Sequence, residues 1–204
     1  MNAPGSYKWW YLDALSDDGT RGLTAILFYG SVFSPSYAAR LRRGEPALPE
    51  EHVAVNLALY ENGRQKTWVM SEYGREAWKG EVAIAESRLS GLKLAVCDRS
   101  APFVASLVGA GARVEGTVEL EPLSAPMPEV FLDGGRQHRW QVIVPRGRVR
   151  VRFSRPGFEF EGVGYHDLNQ GDSRLEAAFS RWSWARPISW SRTRAAPPPS
   201  WRRA

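Results

Sequence analysis

The sequence predicts an all-β protein, an antiparallel barrel or sandwich, and three observations carry the prediction. Roughly eight to ten short segments alternate apolar and polar residues, the period of a half-buried strand. Turn-forming residues separate them roughly every 8–12 positions, a spacing typical of barrels and sandwiches. Only one segment, "DSRLEAAFSRW" (172–182), has a helical period, with Leu175, Phe179 and Trp182 spaced for one face. One short helix is therefore expected near the C-terminus. Barrels of this size commonly enclose a ligand cavity.

The elements follow in order. "YKWWYLDAL" (7–15) is an aromatic strand that ends in "SDDG", whose residues bond their own backbone or accept positive φ. "RGLTAILFYG" (21–30) completes a hairpin with it. An irregular connection with a helical turn spans "SVFSPSYAARLRRGEPALPEE" (31–51). "HVAVNLALYENGRQKTWVMSEY" (52–73) is a second hairpin, because Asn62-Gly63 suits the type I′ turn that matches strand twist. "VAIAESRLSGLKLAV" (82–96) alternates around a Ser-Gly turn. "ARVEGTVELEP" (112–122), "HRWQVIVP" (138–145), "GRVRVRFS" (147–154) and "GFEFEGVGY" (157–165) complete the series. From Arg186 to Ala204 the chain has a Pro triplet and no periodicity, which predicts a disordered basic tail after a β domain over 5–185.

The composition narrows the function. Nine Trp, eight Phe and seven Tyr suggest large packing anchors or a pocket for a long apolar ligand. The single Cys97 excludes an internal disulfide and any multi-Cys metal site. The net charge is +5, but five Arg lie in the tail. Without them 22 basic residues meet 22 acidic ones, so the body carries no basic stripe for nucleic acid. No apolar run reaches the roughly 18–20 residues that span a bilayer, and no signal peptide is expected.

Familiar catalytic templates are absent: no P-loop, no dinucleotide fingerprint, no His-x-x-x-His pair and no GxSxG elbow. His52, His138 and His166 lie apart, so no metal site is expected. What stands out is "GVGYHDLNQGD" (162–172), with a Tyr, a His and two carboxyls among glycines. Strand alternation puts Tyr165 and Asp167 on one face and His166 on the other. In "QHRWQ" it likewise pairs His138 with Trp140. If both faces turn inwards, the four side chains meet in one cavity. A carboxyl at an apolar wall is held protonated by burial and can serve as a general acid. The other reading, that Asp167 caps the following turn, is equally open from pattern alone.

The segment "GSYKWWYLDALSDDGTRGLTAILFYGSVFSPSYA" closely resembles the N-terminal signature of the carotenoid 1,2-hydratases, also called hydroxyneurosporene synthases. "HRWQVIVPR" and "GYHDLNQGD", followed by "LEAAFSRWSWAR", resemble that family's later signatures in the same order. The resemblance implies a double-lipocalin-like β fold and cofactor-free addition of water to the terminal C1–C2 double bond of acyclic carotenoids such as neurosporene or lycopene. It implies Asp167 as proton donor and Tyr165, His138 and Trp140 around it. Trp9, Trp10 and Tyr11, in the aromatic opening motif, together with Phe33 and Trp182, are expected to bind substrate. A carotenoid and water are the expected partners, with a peripheral association on the cytoplasmic side of the inner membrane. Family members continue well beyond "FxRWxWxR", so the second half is expected to be largely missing here.

Overall fold

The computed structural model describes residues 3–73, 92–98 and 114–184, and the backbone alone over 92–98. The strands are β1 (Tyr7–Ser16), β2 (Arg21–Tyr29), β3 (Val53–Glu61), β4 (Arg64–Tyr73), β5 (Leu92–Asp98), β6 (Val114–Pro122), β7 (Val130–Phe131), β8 (His138–Arg155) and β9 (Phe158–Gly171). Helices α1 (Pro35–Arg42) and α2 (Leu175–Ala178) and a 3-10 turn at Pro49–Glu51 are the other described elements. All nine strands form one sheet in the order β4-β3-β2-β1-β9-β8-β6-β5, with β7 on the side of β8. Every pairing is antiparallel. The all-β antiparallel class thus holds. The described strands make one open antiparallel sheet whose ends are β4 and β5.

Two meanders meet in the middle of that sheet. β1–β2 and β3–β4 are hairpins, with α1 in the connection between β2 and β3, and the Asn62-Gly63 turn has φ of 52° and 74°, as type I′ geometry requires. In the β1–β2 turn Asp18 accepts hydrogen bonds from Ser16 Oγ at 2.6 Å and Thr20 N at 2.9 Å. The halves are joined by β1 and β9, which pair from Tyr7↔Gly171 to Ser16↔Gly162. That pairing sets Trp9 beside Asn169, Tyr11 beside Asp167 and Asp13 beside Tyr165.

The two sheet faces differ. One carries the largest apolar cluster, including Trp10, Leu12, Leu27, Leu57, Val149 and Phe153. The other carries a smaller cluster of Tyr7, Trp9, Phe28 and Ala54, with Tyr11, Ile26 and Leu175 against it. Along β9 buried and exposed residues alternate as far as Val163, and then six successive residues, Gly164–Asn169, are buried. At that end the sheet is covered on both faces. Fully burying each large apolar side chain contributes roughly 1.5–3 kcal/mol, which favours the covered end.

Two elements depart from the sequence expectation. The segments 138–145 and 147–154 form one strand, β8, with pairing irregularities between Val142 and Val144 and between Val144 and Gly147. Pro145 lacks the N–H that a regular ladder needs, so pairing slips there without ending the strand. The helix expected over 172–182 shortens to the four residues of α2. Its N-cap Arg174 makes no side-chain cap, and Phe179 is already extended at φ −128°, ψ 124°. One uncapped turn has little intrinsic stability. The chain instead lays Phe179 and Trp182 over the smaller cluster. α1 is better founded: Ser34 accepts from Tyr37 N at 3.0 Å and donates to Glu72 Oε1 at 2.6 Å, tying the helix start to β4. The tail expected from Arg186 lies outside the described residues.

Candidate active site

Asp167 sits on β9, on the face opposite the main core, and is 1% exposed. Tyr165 Oη donates to its Oδ2 at 2.8 Å, and Trp140 Nε1 donates to the same oxygen at 3.1 Å. Asn169 Nδ2 donates to Oδ1 at 3.3 Å. Trp184, from the chain after α2, also hydrogen-bonds it. Every one of these partners is a side chain, and β9 continues through Gly171, so Asp167 caps no turn. Burial pushes its carboxyl above the ordinary range, and the nearby charge of Asp13 pushes the same way. The bonds from Trp140, Tyr165 and Trp184 oppose that shift without cancelling it. The result is a desolvated carboxyl that holds its proton more tightly than a free aspartic acid.

Tyr165, Trp140 and Asp167 therefore come together as alternation predicts, and His138 stands apart from them. It pairs with Gly171, four residues along β9 from Asp167, which is roughly 13 Å of extended chain. Its Nδ1 shares a hydrogen bond with Tyr7 Oη at 2.9 Å, and Ser173 Oγ lies 3.3 Å from its Nε2. Tyr7 stacks on the imidazole at a centroid distance of 5.8 Å, and Phe179 meets it edge-on at 5.0 Å. Burial holds the imidazole below its ordinary pKa and so favours the neutral ring. A side chain at Gly171 would bring a Cβ within 2.6 Å of His138 Nδ1, so only glycine leaves room for the Tyr7–His138 pair.

The aromatic residues divide by face. Trp9 stacks on Tyr7 at 5.0 Å and meets Trp182 edge-on at 6.1 Å. Tyr11 contacts Trp184 at 5.1 Å and Tyr165 at 6.3 Å, and its hydroxyl donates to Asp13 Oδ2 at 3.2 Å. Phe33 is 62% exposed and packs edge-on against Phe28 at 5.4 Å. Trp10 alone of the expected substrate residues lies on the opposite face, in the main core, with Lys8 Nζ 4.8 Å from its ring centroid. Consecutive strand residues point to opposite faces, which separates it from Trp9 and Tyr11.

A cavity of about 430 Å³ opens beside Trp9, between α1 and the segment after β9, lined by Val32, Phe33, Leu175, Phe179 and Trp182 among others. Asp167 is not part of its wall; it lies farther along the same face, under Tyr11 and Trp184. Among the described residues no three His, Cys, Asp or Glu side chains gather closely enough to hold a metal ion. Sequence reasoning missed Tyr7, Asp13 and Asn169. Alternation already groups Tyr7 and Asp13 with Trp9 and Tyr11, and Asn169 with Asp167. Only the β1–β9 pairing brings the two groups together.

The family model of the carotenoid hydratase CrtC matches residues 25–196. Acyclic carotenoid 1,2-hydratases of Thiocapsa roseopersicina and Rubrivivax gelatinosus are 42% and 41% identical to this chain over 190 residues, covering 90% of it and 45% of each relative. The chain thus spans about half the length of the curated relatives it matches. Among solved structures, CghA with Sch210972 aligns at a TM-score of 0.42 and 13% identity, over 83% of this chain and 47% of that one.

Proposed function

We infer that the Asp167 site hydrates an acyclic carotenoid, since the chain belongs to the carotenoid hydratase CrtC family and buries a raised-pKa carboxyl beneath aromatic rings. That carboxyl is the observation that carries the reading. Adding water to a trisubstituted alkene begins with protonation of C2, which leaves a tertiary cation at C1. The step needs an acid that keeps its proton in a dry site, and burial supplies one in Asp167. The cation needs shelter until water arrives. Tyr11, Tyr165, Trp140 and Trp184 surround the carboxyl. A cation over such a ring gains roughly 0.5–2 kcal/mol, the larger figure where water is excluded. Water then bonds to C1 and returns one proton to the Asp167 carboxylate, so one water is consumed and the acid is restored.

The substrates proposed are neurosporene and lycopene, whose terminal double bond would lie beside Asp167 with the chain running towards the cavity at Trp9. His138, 0% exposed and bonded to Tyr7 and Ser173, supports the covered end of the sheet and is assigned no direct contact with Asp167. Peripheral membrane association is proposed as well. Exposed Phe33 and Trp182 flank the cavity beside Arg42 and Arg181, an arrangement suited to a lipid surface. Among the described residues no helix is long and apolar enough to cross a membrane.

The test is expression of the chain in a lycopene-accumulating bacterial host, with pigments resolved by mass. A product heavier by one water is expected. A product of unchanged mass but altered absorption would instead make the site an isomerase or cyclase. Lycopene bound to the protein and unaltered would make it a carrier.

A further inference from the structure

We propose that Asn169 holds the water that captures the cation; this rests on the hydration reading above and assigns the second half of the reaction to a residue. Asn169 is 4% exposed and lies two positions beyond Asp167 on the same face of β9. It stands between Trp9 on β1 and Trp140 on β8. Its Nδ2 donates to Asp167 Oδ1, which fixes the amide plane against the acid. Its Oδ1 is buried and accepts no hydrogen bond. Buried polar atoms are rarely left so, and a bound water is the usual partner.

The place of this unpaired oxygen matters more than its existence. Among the described residues four other buried side-chain atoms lack a partner: Trp10 Nε1, His166 Nε2, Arg139 Nε and Ser31 Oγ. Trp10, His166 and Arg139 belong to the opposite face by their strand register, and Ser31 follows β2 in a loop. Among the described strand residues on the Asp167 face, Asn169 Oδ1 is the buried side-chain acceptor left open. The carboxyl is asymmetric in the same sense. Its Oδ2 accepts from both Tyr165 and Trp140, whereas its Oδ1 faces Asn169. An acidic proton carried on Oδ1, the oxygen that faces Asn169, puts proton and water on one side.

The steps balance without another base. The Asp167 O–H bond breaks as the alkene electron pair forms the new C2–H bond. Water, donating one O–H to Asn169 Oδ1, bonds through its oxygen to C1. The resulting oxonium returns a proton to the Asp167 carboxylate, which restores the acid. Without a held water the cation has one other exit, loss of a proton back to Asp167, which regenerates an alkene.

The test is that partition. The whole chain, Asn169→Leu and Asn169→Ser are each incubated with lycopene in detergent micelles in D2O. Hydrated product and deuterium in recovered lycopene are both measured by mass. Their ratio does not depend on how much of a variant is folded. Removing the acceptor in Asn169→Leu is expected to raise the ratio of exchange to hydration at least about tenfold, the effect of one lost hydrogen bond. Asn169→Ser, which keeps a hydroxyl acceptor, should raise it less. An unchanged ratio in both variants overturns the proposal, because Asn169 would then act only by supporting Asp167. A parent chain that neither hydrates nor exchanges refutes the underlying hydration reading instead.

Discussion

Asp167→Asn should stabilise the fold, and the reason lies in the partners of the carboxyl. Tyr165 and Trp140 donate to Oδ2, and a carboxamide oxygen there accepts both bonds equally well. The new amide nitrogen would face Asn169 Nδ2, donor against donor. Asn169 Oδ1 has no partner, so turning that amide over satisfies the pair. The bonds to Tyr165, Trp140 and Asn169 are kept or replaced, and the cost of holding a carboxyl at 1% exposure disappears. The gain is on the order of 1 kcal/mol, a typical return for relieving a functional site of an under-compensated polar group. For a chain of this size that raises Tm by roughly 2–4 °C.

The gain also depends on pH. A carboxyl whose folded pKa is raised binds its proton more tightly in the folded state. Its contribution to stability is fully present below the unfolded value of about 3.9 and is lost as pH rises through the folded value. The asparagine variant has no such proton to lose. Its Tm advantage should therefore widen from about pH 5 to about pH 8 when followed by circular dichroism. A Tm lowered by more than about 6 °C at both pH values, roughly 2 kcal/mol, would refute the reasoning. It would mean that the carboxylate holds the strands together and that its burial is structural.

Other perturbations follow from the same contacts. Asp13→Asn removes a negative charge that helps to raise the Asp167 pKa, so the alkaline limb of the hydration pH profile should move to lower pH; a move to higher pH would contradict the coupling. Gly171→Ala puts a Cβ within 2.6 Å of His138 Nδ1 and against the Tyr7 ring. Such overpacking costs about 1–3 kcal/mol, and an unchanged Tm would show that the Tyr7–His138 pair is not tightly held. Ser34→Ala removes the α1 N-cap and its bond to Glu72, and should cost roughly 1–2 kcal/mol in a urea titration. Burial pushes the Glu72 carboxyl up, but bonds from His52, Ser34 and Ser36 outweigh it and hold the group below the usual range. Losing one of those bonds should bring its titration closer to normal.

Local signals were readable along the chain, and non-local ones were not. The Asn62-Gly63 and "SDDG" turns fix two hairpins through φ requirements that neighbouring residues satisfy by themselves. Alternation alone places Tyr165 with Asp167 and His138 with Trp140. It also separates Trp10 from Trp9 and Tyr11, although all three share one aromatic motif. Register is different. Whether His138 reaches Asp167 depends on which β9 residue it faces, and that is Gly171. No local rule pairs β1 with β9, which joins Tyr7 to Gly171 and Ser16 to Gly162 across most of the chain, yet this seam creates the site. The helical period of 172–182 does yield the expected short helix near the C-terminus, but only over Leu175–Ala178, for the same kind of reason. Packing of Phe179 and Trp182 against His138 and Trp9 outweighs the weak propensity of one uncapped turn.

The most direct test of Asp167 as the acid compares the chain with Asp167→Asn in the same lycopene-accumulating host, at matched levels of soluble protein. Hydrated carotenoid should form with the parent chain and vanish with the variant, while unaltered lycopene still co-purifies with both. Hydrated carotenoid at the parent's level from Asp167→Asn would contradict the assignment, because a carboxamide has no proton strong enough to give to an alkene.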